Sequence, residues 1–180
     1  MIWIFLYAVE LLDLYRKNTF FIFLIDRGIV LDYCEPTSQG EYTMKYEMIP
    51  EGKMFRIKAL KDFRYVKKSD LGGLIERESN LSQKGCCWVY ENASVSGNAK
   101  VFKDAEISGN AKVFGNALVY DNAKVFGNAL VYDNARVYGD GWIYDNALVY
   151  GNAKVSRNAL VSGKAEVYGN AEVYGDAYNI

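Results

Sequence analysis

From Ala93 to Ala177 an alanine returns at every sixth residue, fifteen positions with a single replacement, Gly141. A period this short and this strict is a solenoid signature, and it constrains the fold more than any other feature of the chain. The unit reads Val-x-Gly-Asn-Ala-x, as in Val95-Ser96-Gly97-Asn98-Ala99-Lys100 and Val113-Phe114-Gly115-Asn116-Ala117-Leu118. Within it, stretches such as Ala117-Leu118-Val119-Tyr120 alternate with the period of a strand. The alanine and the β-branched residue then point one way, and the x residue and the aromatic point the other. The Gly-Asn or Asp-Asn pair supplies a corner, because glycine accepts positive φ and asparagine tolerates it better than most residues. Each hexad is one short strand and one corner.

This pattern resembles the hexapeptide repeat of left-handed parallel β-helices, in which an aliphatic and a small residue share the inside of a triangular coil. The resemblance implies three hexads, or 18 residues, per coil. The expected fold class is all-β: a single-stranded parallel β-helix, left-handed and triangular, of about five coils spaced roughly 4.8 Å apart. Val119, Val137 and Val155 are expected in the dry interior. The corner asparagines, from Asn98 to Asn158, are expected to stack coil on coil as structural groups.

The 180 residues carry a formal charge of −1 and no histidine. Cys34, Cys86 and Cys87 form neither a disulfide framework nor a metal pattern. Adjacent Cys86 and Cys87 point to opposite faces and are poor partners for each other. A reducing, cytoplasmic setting is the expectation. Three segments follow: an extension (1–43), a cap (44–86) and the repeats (87–180). The extension is apolar at 1–9 and 19–25, but neither run approaches the ~20 residues needed to span a bilayer. A membrane-surface anchor, a helical hairpin or a strand pair on the first coil would each fit it. The favoured reading is an upstream extension ahead of an ordinary start at Met44. The cap is expected because a solenoid end exposes unpaired backbone and core. It is mildly basic, most so at 53–68, which a solvated surface explains.

The cap and the repeats together resemble a known family. Phe55-Arg56-Ile57-Lys58-Ala59-Leu60-Lys61-Asp62-Phe63, the run from Val66 to Glu76, Asn80-Leu81-Ser82 and Cys87-Trp88-Val89-Tyr90 resemble the head of YdcK-type β-solenoid proteins, and Asn-Ala-x-Val-Tyr repeats follow in the same way. The resemblance covers about residues 44–180. It implies a bacterial, phage or mobile-element setting, and an acyltransferase label given by analogy with hexapeptide-repeat enzymes. Those enzymes use a histidine base, and zinc-dependent carbonic anhydrases of the same fold use three histidines. This chain has none, so no catalytic, metal or cofactor-binding residue is assigned and no cofactor is expected. Asp104, Asp121, Asp133 and Asp145 are nominal replacement bases, but they stand where Asp substitutes for Gly or Asn at a corner.

Function is therefore expected on the outer faces, where residues 18 apart stack. One face carries Phe114, Leu130, Tyr132, Leu148, Tyr150 and Tyr168 and is read as a self-association surface for a trimer or dimer. A second carries Lys100, Phe102, Tyr120, Arg136, Tyr138 and Lys154, with Tyr174 beyond, and is read as a ligand or polyanion face. Its partners would be a glycan, a nucleotide or a protein, held by stacking and charge. A third carries Trp88, Tyr90, Lys124, Phe126, Trp142, Tyr144 and Leu160. The repeats have a local charge of −2, which argues against strong binding to double-stranded DNA. The expected function is a non-catalytic scaffold or binding module. The alternative is an acyltransferase-like enzyme that has lost or relocated its base.

Overall fold

The computed structural model describes residues 44–175. The calls on residues 1–43, Cys34 included, lie outside the described residues. Among the described residues the fold is an all-β parallel solenoid of about six turns, with one short 3-10 turn at Glu78–Asn80 and no helix long and apolar enough to cross a membrane.

Three strands come first: β1 (Tyr46–Glu51), β2 (Met54–Ala59) and β3 (Leu71–Ile75). The first two form an antiparallel hairpin, and β2 pairs antiparallel with β3. Strand β3 then pairs in parallel with the repeats, so the parallel ladder begins inside the segment read as a cap. Each later strand is the x-Val dipeptide of one hexad, extended to three residues in two cases. They are β4 (Trp88–Val89), β5 (Ser94–Val95), β6 (Lys100–Val101), β7 (Glu106–Ile107), β8 (Lys112–Val113), β9 (Leu118–Val119), β10 (Lys124–Val125), β11 (Leu130–Val131), β12 (Arg136–Val137), β13 (Trp142–Ile143), β14 (Leu148–Val149), β15 (Lys154–Ser156), β16 (Leu160–Val161), β17 (Glu166–Val167) and β18 (Glu172–Tyr174). Every third strand stacks. One sheet runs β1-β2-β3-β5-β8-β11-β14-β17, a second β16-β13-β10-β7-β4, and a third β18-β15-β12-β9-β6.

The register explains the period. Leu130 pairs with Leu148 and Val131 with Val149, a step of 18 residues. The β-branched and alanine positions face inward, and Val119, Val137 and Val155 are fully buried, as is each hexad alanine from Ala93 to Ala159. Corners carry the positive φ that the sequence implied: Gly115 at 72° and Asp133, one coil later, at 56°. The asparagine side chains form ladders across coils. Asn98 donates to Asn116, Asn116 to Asn134, Asn134 to Asn152 and Asn152 to Asn170, at 3.0–3.2 Å.

The cap is bolted to the first turn by two groups that the hexad pattern does not contain. Lys45 is buried, and its Nζ donates to the carbonyls of Gly85 (3.3 Å) and Cys87 (2.9 Å) and lies 3.3 Å from Cys87 Sγ. Burial pushes this amine below the ordinary lysine range and the Cys87 thiol above its own. Tyr46 donates its hydroxyl to Leu81 O at 2.6 Å.

Cys87 takes the alanine position and is free and buried, whereas Cys86 takes the corner and is disulfide-bonded. The two neighbours face opposite ways and do not bond each other.

Buried phenols set the alkaline behaviour. Burial pushes Tyr90 up to about 12 from 10.0 and raises Tyr46 as well. A tyrosine that ionises later folded than unfolded lends stability that is complete below pH 10 and lost as pH rises through the folded value. Lys45 acts oppositely: its lowered value makes folding more favourable as pH climbs toward 10.5. Denaturant midpoints are thus expected to hold or rise up to about pH 9, where the raised Cys87 thiol begins to offset Lys45, and to fall between pH 10 and 12. A monotonic decline from neutral pH would contradict these assignments.

Candidate functional site: the outer ring columns and one irregular corner

The aromatic position of each hexad follows the strand and points outward, so rings one coil apart meet face to face. Phe114, Tyr132, Tyr150 and Tyr168 form one column, with centroids 5.0, 5.0 and 5.4 Å apart and planes within 15° of parallel. Leu130 and Leu148 lie adjacent beside it. Tyr150 donates its hydroxyl to Glu166 at 3.1 Å. The sequence-derived self-association residues therefore sit on one sheet.

Phe102, Tyr120 and Tyr138 form a second column, at 4.9 and 5.1 Å. Ser156 takes the next aromatic position, so Tyr174 stands one coil beyond the end of the stack. Lys100, Arg136 and Lys154 line the same sheet, but Lys154 is paired with Glu172 at 2.7 Å. Lys103 is drawn to Asp121 and over the Tyr120 ring. Lys100 and Arg136 are left without an ion pair among the described residues. Desolvation raises the phenols of Tyr120, Tyr132 and Tyr150, as mutual stacking of half-buried rings requires.

This geometry refines the expected mode of binding. Rings stacked at about 5 Å cover each other's faces and offer only their edges to solvent. A planar ligand can stack only at the end of a column, not along it.

The third face differs from the sequence reading at its start. Trp88 is not an outer-face residue: it is buried, beneath Tyr46 and Phe63. The loop that carries Phe63 folds over the first two coils, and its Arg64 pairs with Glu106 at 2.6 Å. Further along, Phe126 stacks on Tyr144, and Trp142 meets Phe126 edge-on with Lys124 above it.

The four nominal carboxylate bases are occupied as backbone acceptors. Asp121, Asp133 and Asp145 accept the N–H of Gly139, Gly151 and Gly163, each one coil ahead, at 3.1–3.3 Å. Asp104 accepts the N–H of Cys86 at 3.0 Å. Among the described residues no three His, Cys, Asp or Glu side chains gather as a metal site.

The first corner of the repeats is irregular. Ile75 pairs with Val95 and Leu81 bridges to Val101, each a step of 20 residues, before the step settles at 18 with Val89 and Ile107. The hexad after Leu81 is two residues too long, and the extra pair, Gln83-Lys84, protrudes at the corner. A recess of about 450 Å³ opens beside it, lined by Ser82, Lys84, Gly85, Phe102, Lys103 and Asp104. Counting hexads backward from Val95 would have found it, since Leu81 and Val89 are eight apart rather than six.

No curated protein matches the chain. The family model described as YdcK Beta solenoid repeat matches three overlapping stretches, residues 123–139, 129–144 and 143–157. Residues 123–157 thus carry repeats of the YdcK type, and the chain is a β-solenoid repeat protein.

Proposed function

We propose that this solenoid is a non-catalytic scaffold and binding module that works through its outer ring columns. The column Phe114–Tyr132–Tyr150–Tyr168 with Leu130 and Leu148 carries the reading: it is a continuous apolar strip on one sheet of a rigid ladder. Contiguous apolar area of this kind marks an interaction surface. A second copy of the chain is the occupant, giving a dimer or trimer, and the sheet with Phe102, Tyr120, Tyr138, Lys100 and Arg136 serves a separate ligand. The engagement of Asp104, Asp121, Asp133 and Asp145 with backbone N–H groups supports a structural role for them over a catalytic one. Turnover of acetyl-coenzyme A with an acceptor would favour the acyltransferase alternative.

The test is the paired substitution Leu130→Lys, Leu148→Lys. Lysines beside the column would be desolvated by a second copy and so oppose association, and half-exposed positions accept them in the monomer at a cost of roughly 0.2–1 kcal/mol per stacked like-charge pair. Light scattering is expected to give an oligomer for the native chain and a monomer for the variant. An unchanged mass would refute the assignment of this face.

A further inference from the structure

We propose that the recess at the irregular corner binds a mononucleotide, with the base laid on Phe102 and the phosphate held by Lys84. The proposal rests on the reading of this sheet as the ligand face and names the ligand class. Three observations converge on it. The recess lies at the two-residue insertion, a departure from the regular register of the repeats, and such departures in a locally consistent sequence are where function is expected. Phe102 begins its ring column. Tyr120 covers one of its faces, while the rung before it carries Ser82, whose N–H donates to Val101 O at 2.9 Å. The other face is therefore bare and turned into a recess of about 450 Å³, within the range of small-molecule sites. Phe114 and Phe126 also follow serines, Ser96 and Ser108, but at corners of regular length.

The polar groups suit a base with an attached anion. The Ser82 hydroxyl oxygen already accepts the Lys84 N–H at 3.0 Å, so its proton is directed elsewhere, to a ring nitrogen or carbonyl. Asp104, whose Oδ1 accepts the Cys86 N–H, offers its other carboxylate oxygen to an exocyclic amine, which favours adenine or cytosine. Lys103 is committed to Asp121, whereas Lys84 has no ion pair among the described residues. The protrusion is held from behind: Gln83 Oε1 accepts the Lys45 N–H at 2.8 Å, and Lys45 Nζ holds the Gly85 carbonyl. The recess is thus set before ligand arrives, which limits the ordering cost of binding.

The experiment is titration of the full chain with adenosine monophosphate by calorimetry and NMR, with adenosine and inorganic phosphate as separate arms. Saturable binding is expected in the order adenosine monophosphate, adenosine, phosphate, with the adenine protons shifted by the Phe102 ring current. Phe102→Ala should weaken the nucleotide roughly tenfold or more. Lys84→Gln should lower the nucleotide to the level of adenosine and leave adenosine unchanged. Ser82→Phe adds the missing ring to the column and fills the recess. It should abolish binding without lowering the melting temperature, which keeps the test decisive if Phe102→Ala does not fold. No saturation by adenosine monophosphate at millimolar concentration, or saturation untouched by Ser82→Phe, would overturn the proposal. Neither result bears on the oligomer mass, and an unchanged mass in the Leu130, Leu148 variant would refute the scaffold reading without touching the recess.

Discussion

Val137→Asp is expected to collapse the middle of the solenoid, while Arg136→Asp, one residue away, is expected to be tolerated. Val137 is fully buried between Val119 and Val155 in its sheet, and its neighbours within the coil are alanines and β-branched residues. A carboxylate there meets no donor and no countercharge. Leaving an uncompensated charge buried costs about 3–5 kcal/mol, a large share of the 5–15 kcal/mol by which most domains are stable. Each coil contacts only its neighbours, so the lesion also uncouples the turns on either side. Arg136 is exposed and makes no ion pair among the described residues, so its replacement should stay within about 0.5 kcal/mol. Urea denaturation of both variants checks the contrast. Equal losses would mean that side chains do not alternate inward and outward along this strand.

Gly73→Ala is the second large effect, and its cause is crowding of the backbone. A Cβ on Gly73 would lie 2.5 Å from Ala93 O, 2.6 Å from Val89 Cγ1 and 3.1 Å from Tyr90 O. Gly72 is equally tight, at 2.5 Å from Val89 O. These two glycines let β3 lie directly across the first turn, where the antiparallel cap becomes the parallel ladder. Ala93 O, which accepts the Leu74 N–H, and Tyr90 O, which accepts the Ala93 N–H at the corner, cannot move aside, so the substitution should cost about 3 kcal/mol, the upper part of the usual range for overpacking. Hydrogen exchange should show β1 and β2 losing protection before the C-terminal strands, and Trp88 fluorescence should shift as its cover loosens. Gly141→Ala supplies the contrast. That position is the one replacement in the alanine series from Ala93 to Ala177, and a Cβ there meets ordinary to snug contacts of 3.3–3.5 Å. The unfolded chain loses freedom and the fold loses little, so Gly141→Ala should be neutral or stabilising by about 0.4–1 kcal/mol.

Much of this could be read from the sequence because every level of the repeat agrees. Ala99, Val101 and Phe102 each announce their direction by residue type, and Gly97-Asn98 announces the corner. The asparagine ladder followed from the same spacing. Features that depend on contacts between unlike segments were not legible. Trp88 sits in the x position of its hexad and reads as outward, and only the Phe63 loop, folding back over it, makes it core. The burial of Lys45 against Cys87 joins residues 42 apart through the cap, with no periodic signal. The ring columns were legible as rows of aromatics, but not the consequence that stacked rings close their faces to ligands and leave Phe102 as the open end. The long corner at Gln83-Lys84 was visible as a spacing, yet it lies before the alanine series begins and so outside the pattern that organised the reading.

The most direct test of the hexad register is a distance between two residues far apart in sequence. Spin labels on Asn98→Cys and Asn170→Cys, in a background with the native cysteines replaced, should lie on one corner of the solenoid four coils apart. At about 4.8 Å per coil an 18-residue coil requires a narrow distribution centred near 19 Å between backbones, allowing for the label arms. A broad distribution, or a separation well beyond that for residues so placed, would contradict the 18-residue coil on which every other assignment depends.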